Sequence, residues 1–535
     1  MKFGLVVPRS VSHVGQYYEF PLGLAYVSSV LKASGFDVAC LNLNNVDEPV
    51  EVAVRKMIVQ QGANVIGTGG LSDDYTKVKG IIDCAKKVDP KVITVLGGGV
   101  ISSSPELVFE AVNPSFGVLF EGEATVVELA SALEGGEEDF SNVRGLIWKK
   151  KGKIVRNQPR EPVKDLDTIP FPDFEGFGAD DFLDSQMTND NHYFFHFDKP
   201  RALPMISSRC CPFDCSFCFH PLGRTYRQRS IENFFAEVEH LVKRFNVNMI
   251  MVYDELFSLH KERLLDFCDR IKKYNLKWAT QLRADPHIDD EVLSEMKDAG
   301  CCVLAYGLES ASDKVLKSMG KHVTIKQIEK TLELTWKHEI GIQGNFIFGD
   351  SGETAETATE TLRWWKQHQK YQIALTPIYV YRGTKLHDIA VKRGMIRDER
   401  ADLSNRYPVV NLTEMRDAEY SALLKKLIVL NIENLERYKG EILSCRRIRK
   451  DKRKGTIHSL KVRCPHCSAI NHFTQFNFDP TRDRESEGCR TACRRCNRRF
   501  NVLIPTFSYR LLHLLPPYWR NRAASLKRKY FSFLP

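Results

Sequence analysis

Three cysteines, Cys211, Cys215 and Cys218, stand in the stretch RCCPFDCSFCFH with the spacing C-x3-C-x2-C. Thiolates on so short a loop can hold three irons of a [4Fe–4S] cluster. A structural cluster wants four cysteines; three leave one iron open for a non-protein ligand, much as a catalytic zinc keeps an open position. Phe217 and Phe219 supply an apolar shell of the kind that tunes such a cluster. The rival reading is a zinc or chance loop, but zinc prefers paired C-x-x-C halves and no second half lies nearby. Cys210 is left over and reads as a small buried hydrophobe.

A second set of thiols does have paired halves. Cys464-Pro-His-Cys467 and Cys493-Arg-Arg-Cys496 form two C-x-x-C knuckles separated by 25 residues. They fit a four-cysteine zinc ribbon in which each knuckle gives two thiolates to a tetrahedral ion. His466 and Cys489 are possible substitutes and are not preferred, and a second iron–sulfur cluster is the rival occupant. Zinc would supply much of the folding energy of so small a segment.

The elements that must position these thiols are legible from the pattern of the whole chain. Its 535 residues allow two to four domains, and 43% hydrophobic with 27% charged residues is ordinary for a soluble protein. Nine of the 15 cysteines fall between Cys210 and Cys218 or between Cys464 and Cys496. Clustered C-x-x-C spacings without a secretory leader favour metal over disulfide and a reducing cytoplasm. No apolar run reaches the length of a membrane span. The net charge of +10 is concentrated late, in CRRIRKDKRK and CRRCNRRF. Such runs read as solvated basic faces or as contacts with an anionic partner.

Residues 1–137 alternate strand and helix five times, which indicates an α/β domain with a doubly wound parallel sheet. Ligands of such sheets bind beyond the carboxyl ends of the strands. Thr68, Gly69, Gly70 and Ser72, then Gly97, Gly98 and Gly99, then Glu121, Gly122 and Glu123 occupy those ends. Glycine there lets a bulky ligand approach the backbone, although it also turns corners in any α/β protein. The first strand is followed by no G-x-G-x-x-G, so a dinucleotide site is not supported. Residues 138–200 read as a connector. From 201 to 435 about six further β–α units suggest a partial TIM-like (β/α)6 barrel, with the cysteine loop after its first strand. Residues 436–505 hold the zinc ribbon. Residues 506–535 form a basic amphipathic tail suited to an anionic membrane surface or to docking as a plain amphipathic helix.

A C-x3-C-x-aromatic-C loop after the first strand of a six-unit barrel resembles the radical S-adenosylmethionine (SAM) superfamily. Tyr253-Asp-Glu255, Arg283-Ala-Asp285, Tyr306-Gly-Leu-Glu-Ser310 and Gly344-Asn-Phe-Ile-Phe-Gly349 are similar to the segments that end its later strands. The resemblance implies that Cys211, Cys215 and Cys218 hold the cluster and that SAM binds its open iron and is cleaved to a 5′-deoxyadenosyl radical. It also implies that Phe217, Asp254, Glu255, Arg283, Glu309, Gly344 and Gly349 surround SAM and substrate.

With the barrel so read, the five-stranded domain before it resembles the cobalamin (B12) domain of the B12-dependent subclass. That subclass includes radical methyltransferases and the anaerobic magnesium-protoporphyrin monomethyl ester cyclase. Gly23 and Leu24 join the strand-end residues as expected cobalamin contacts. The D-x-H-x-x-G signature is absent, so no histidine is nominated as an axial ligand, and only Cys40 and Cys84 precede the barrel, too few for a methylthiotransferase's second cluster. The expectation is a cobalamin-dependent radical SAM methyltransferase using [4Fe–4S], SAM, cobalamin and zinc. Its substrate would be a small or lipid-like molecule, with ring closure as the alternative chemistry. Flavodoxin or ferredoxin would supply electrons, the tail would allow peripheral membrane contact, and nucleic acid, reached through the basic ribbon, is the disfavoured partner.

Overall fold

The computed structural model describes residues 1–188, 193–257, 259–404, 408–451, 455–477 and 488–503; the basic tail expected at 506–535 lies outside them. The chain divides into two units: Met1–Gln186 with Lys199–Ile432, and Met187–Asp198 with the chain from Glu433 onward. Among the described residues no helix is long and apolar enough to cross a membrane.

The first unit opens with β1 (Lys2–Val7), β2 (Asp37–Asn42), β3 (Val65–Gly69), β4 (Ile93–Gly97) and β5 (Phe116–Val118), parallel in the order β2-β1-β3-β4-β5. Near-continuous apolar strands such as FGLVV and ITVL suit a sheet covered on both faces by helices. The hairpin of β6 (Leu146–Lys150) and β7 (Lys153–Arg156) continues this sheet, with β6 antiparallel to β5. Its turn is closed by Lys151 and Gly152, both at positive φ, as a two-residue hairpin requires.

The segment after the hairpin looks like a linker because its prolines keep it extended, yet Phe174, Phe177 and Phe182 are fully buried. Phe174 stacks on Phe20 of the β1 loop at 5.3 Å and meets Phe245 of a barrel helix at 6.1 Å, while Phe182 packs on Tyr18 and Phe20. These rings staple the sheet domain to the barrel. Removing any one would cost about 3–5 kcal/mol.

The barrel strands are β8 (Ala202–Met205), then β11 (Met249–Val252), β12 (Lys277–Leu282), β13 (Cys301–Glu309), β14 (Gly341–Phe348) and β15 (Ala374–Pro377). They form one parallel six-stranded sheet in the order β15-β14-β13-β12-β11-β8. Two-residue strands β9 (Ser208–Arg209) and β10 (Arg227–Gln228) pair antiparallel and bracket the cysteine loop. The second unit contains β16 (Glu441–Asp451), β17 (Gly455–Arg463) and β18 (Ile470–Asn477) in one antiparallel sheet, with β19 (Gly488–Ala492) and β20 (Arg499–Leu503) in a hairpin.

Candidate active site

The cysteine loop leaves the carboxyl end of β8, as expected for barrel chemistry. Cys210 sits in the left-handed region (φ 66°), an uncommon conformation for a non-glycine residue that the surroundings must enforce. Its thiol is fully buried, receives an N–H from Arg227 Nη2 at 3.3 Å and faces the Leu222 carbonyl. It is therefore committed to the protein, while Cys211, Cys215 and Cys218 continue around the loop. Backbone bonds hold them there: Cys218 N–H to the Cys215 carbonyl, Ser216 N–H to Met319, and Leu386 N–H to Ser216.

The donor set fits an iron–sulfur cluster. Three thiols share one short loop, and Cys215 lies beside Lys321 and Arg283, whose positive charge favours thiolates. The hydrogen bond from Cys218, with those cations adding to it, pulls the Cys215 thiol down to about 6, and the Cys218 thiol goes up in turn. Phe217 packs into the apolar cluster of Val315, Met319 and Ile378, and Arg283 stacks 3.5 Å from the Phe213 ring centroid.

The strand ends around the loop divide into braces and open groups. Asp254, expected near SAM, is buried and accepts from Ser207 N–H at 2.7 Å and from the Ser207 and Ser208 hydroxyls; burial pushes its carboxyl up to about 6. It braces β11 against the start of the cysteine loop. Arg283 donates to the Lys321 carbonyl at 2.7 Å and to Asp285. Glu309 ends β13 at φ 61° and pairs with buried Lys321 at 2.8 Å. Glu255 is the more open carboxylate, 3.3 Å from His220 Nδ1. A Cβ on Gly344 would lie 2.5 Å from Leu308, and one on Gly349 would lie 2.7 Å from the Tyr420 hydroxyl, so both positions serve close packing behind the site.

Sequence reasoning missed Lys321, His220, Tyr17 and Glu19, and named Tyr253 only as the start of a strand-end segment. The Tyr17 hydroxyl donates to Glu19 at 3.3 Å, and Tyr253, at the end of β11, bonds the same carboxylate. Burial raises the pKa of Tyr17 well above the usual phenol range. The β1 loop thus reaches the barrel mouth. Only its rise in aromatic content, in QYYEF, hinted at this in the sequence.

At the sheet domain's strand ends the glycines first serve each other. Gly98 has φ +84°, and a Cβ there would lie 2.7 Å from the Gly70 carbonyl; one on Gly69 would lie 2.8 Å from the Gly97 carbonyl. The Thr68 hydroxyl is spent on the Val6 carbonyl at 2.8 Å. Glu121 and Glu123, on either side of Gly122, hold barrel arginines: Arg227 grips Glu121 at 2.6 and 3.0 Å, and Arg209 grips Glu123 at 2.6 Å. These carboxylates lock the two sheets together. What remains open fits a large, partly apolar cofactor. Leu71 is 58% exposed beside half-buried Ser72, and Gly23 has no atom within 4 Å of where its Cβ would stand, next to half-buried Leu24. A pocket at this edge is lined by Ser72, Tyr75, Ser103, Tyr381 and Arg382. Gly99 faces the cysteine loop directly. A Cβ there would lie 3.2 Å from Phe219, whose other edge would lie 2.7 Å from a Cβ on Gly383. Phe219 is thus wedged between the sheet domain and the barrel.

The second unit's four thiols are closed. Cys464, Cys467, Cys493 and Cys496 have their Sγ atoms within 4.8 Å of one another. The Cys464–Cys496 and Cys467–Cys493 separations are 3.9 and 3.6 Å. A tetrahedral zinc with Zn–S bonds of about 2.3 Å has sulfur–sulfur edges of roughly 3.8 Å, so the set fits zinc. The knuckles are geometric twins, with Ser468 (φ 59°) and Asn497 (φ 54°) turning the chain after each pair. His466 faces the Arg499 carbonyl and stacks on Tyr438 rather than joining the set, and Cys489 lies outside it.

Comparison with known proteins bears on both domains of the first unit. Residues 205–364 match the model of the Radical SAM superfamily, and residues 9–130 match the model of the B12 binding domain. An uncharacterized methyltransferase of Pyrococcus horikoshii is 28% identical over 80% of this chain and 92% of its own length. The anaerobic magnesium-protoporphyrin IX monomethyl ester cyclase of Rubrivivax gelatinosus is 29% identical over 64% of this chain and 61% of its own. The radical SAM methyltransferase TsrM of Kitasatospora setae superposes with a TM-score of 0.62 at 19% identity, over 74% of this chain and 76% of its own, which establishes the shared fold. The chain thus carries a B12 binding domain at residues 9–130 and a radical SAM domain at residues 205–364.

Proposed function

We propose that the protein is a cobalamin-dependent radical SAM enzyme that methylates an unactivated carbon of a small-molecule or lipid-like substrate. The observation that carries this reading is the three-thiol loop, one ligand short, with Phe219 wedged against Gly99 of the B12 domain. When bound, the cluster, SAM and cobalamin supply reductive formation of a 5′-deoxyadenosyl radical and a transferable methyl group.

The chain's own residues position and exclude. Cys211, Cys215 and Cys218 hold the cluster, and Lys321 and Arg283 keep that loop in a positive field. Glu309, fixed by Lys321, presents a carboxylate at the end of β13, and Glu255 with His220 offers a polar pair at the exit of the loop. Leu71, exposed beside Gly99 at the strand ends, offers an apolar surface for the cofactor to cover. Zinc in the second unit is structural, because all four positions are filled by protein. Fifteen cysteines outside any disulfide suit a reducing cytoplasm, with flavodoxin or ferredoxin as electron donor and peripheral membrane contact through the tail. The second reading, oxidative ring closure, is favoured by the relationship to the Rubrivivax cyclase.

Anaerobic incubation with SAM, methylcobalamin and reductant should yield 5′-deoxyadenosine, and a Cys211→Ala protein that still formed it would sink the assignment. Label from the SAM methyl group in the product separates methyl transfer from ring closure.

A further inference from the structure

Charge is segregated along this chain. Residues 433–535 hold 24 Lys and Arg against 8 Asp and Glu, whereas residues 1–432 hold 53 against 59. Within the basic segment β16 stands apart from its neighbours. β17 and β18 bury Ile457, Leu460, Val462, Phe473 and Phe476, but β16 is exposed at every residue from Leu443 to Lys450. It is also the edge of its sheet, paired to β17 alone. Arg446, Arg447, Arg449 and Lys450 follow one another along it, and among the described residues none of the four has an acidic partner; the nearest ion pair on this sheet is Arg463 with Glu441.

Cations on an edge strand have an ordinary explanation, since they discourage pairing with another chain. The apolar residues of β16 do not share it. Two bulges interrupt the β16–β17 ladder, between Ile442 and Ser444 and between Arg447 and Arg449. The extra residues are Leu443, 39% exposed, and Ile448, 52% exposed. Bulges re-aim side chains, and here they set aliphatic groups in water among guanidinium groups.

Nucleic acid would use the cations but not the aliphatics. Single strands are gripped by aromatic side chains that stack on bases. β16 and β17 contain no Phe, Tyr or Trp, and both phenylalanines of β18 are buried. A bilayer with anionic headgroups uses both features, because cations pair with its phosphates while aliphatic tips enter the headgroup–acyl boundary. We propose that β16 is a docking strand for an anionic lipid surface, with Arg446, Arg447, Arg449 and Lys450 on the headgroups and Leu443 and Ile448 in the interface.

The test is co-sedimentation of the full-length, zinc-loaded protein with vesicles. Binding is expected to equimolar phosphatidylcholine and phosphatidylglycerol but not to phosphatidylcholine alone, and it weakens with salt. The double variant Arg446→Glu/Arg449→Glu should lower binding at least ~tenfold, and Ile448→Asn, which leaves the charge unchanged, should lower it roughly threefold. Both variants keep wild-type zinc content and SAM cleavage, which shows that folding and catalysis are intact. The proposal is overturned if the wild type ignores anionic vesicles, or if the double variant binds them like wild type, which would place docking elsewhere. It is equally overturned if a single-stranded RNA oligonucleotide binds more tightly than the vesicles with the same dependence on Arg446 and Arg449.

Discussion

The barrel loop and the ribbon each gather at least four cysteines within a short span, and they end in opposite states. In the ribbon, twin turns at Ser468 and Asn497 aim all four thiols at one point, with separations of 3.6 and 3.9 Å. In the loop, the left-handed turn at Cys210 sends the first thiol to Arg227 and leaves three. A closed thiolate set makes a fold; an open one makes chemistry. Arg227 holds both sides of this difference, since it also clamps Glu121 of the B12 domain. The residue that removes the fourth thiol from the site is the residue that joins the two domains.

The largest effects should follow from exchanging the two kinds of site. Cys211→Ala should abolish bound iron and SAM cleavage and keep one zinc per chain, whereas Cys493→Ala should lose zinc and keep iron. Metal analysis of the two proteins checks this directly, and loss of both metals from either variant would break the comparison. Next comes the clamp. Arg227→Ala leaves buried Glu121 with the longer Arg209 contact at 3.5 Å as its one remaining ion pair, beside the Val163 N–H at 2.9 Å. Breaking such a pair should cost about 3–5 kcal/mol, read by urea denaturation of the first unit.

A smaller effect concerns pH. Glu353, buried behind the end of β14, has its carboxyl pushed up to about 8, chiefly by burial, while the Gly349 N–H donates to it. The folded state therefore keeps a proton there that the unfolded chain releases near its ordinary value of 4.5. Stability from this group is complete below that value and declines as pH rises toward about 8. Glu353→Gln should remove on the order of 2 kcal/mol of the decline between mildly acidic and mildly alkaline solution, measured by melts across that range. The smallest effect expected is from Cys210→Ser. Serine keeps an acceptor for Arg227 at this buried position and no cluster ligand is removed, so iron content and SAM cleavage should stay within about twofold of wild type.

The two thiol sites were legible in the sequence because their ligands are neighbours in the chain. The strand–helix rhythm was legible for the same reason, since it is local, and it correctly indicated a parallel sheet domain before a six-stranded barrel. Long-range pairing hid the rest. Glu121 and Glu123 stand where a ligand is expected, yet their arginines come from residues 209 and 227. Asp254, expected as a SAM contact, also accepts from Ser207 and Ser208, a brace that no motif announces. Lys321 carries no motif, and only folding brings it beside Cys215 and Glu309. The proline-spaced connector looked loose because its extended backbone hides that Phe174 and Phe182 are core.

On the proposed reading, the loop of Cys211, Cys215 and Cys218 holds a cluster with an open iron. Electron paramagnetic resonance of the reduced, anaerobically reconstituted protein tests it most directly. The wild type should give a [4Fe–4S] signal that shifts when SAM is added, and Cys215→Ala should give none. A cluster signal that SAM leaves unchanged would contradict that reading.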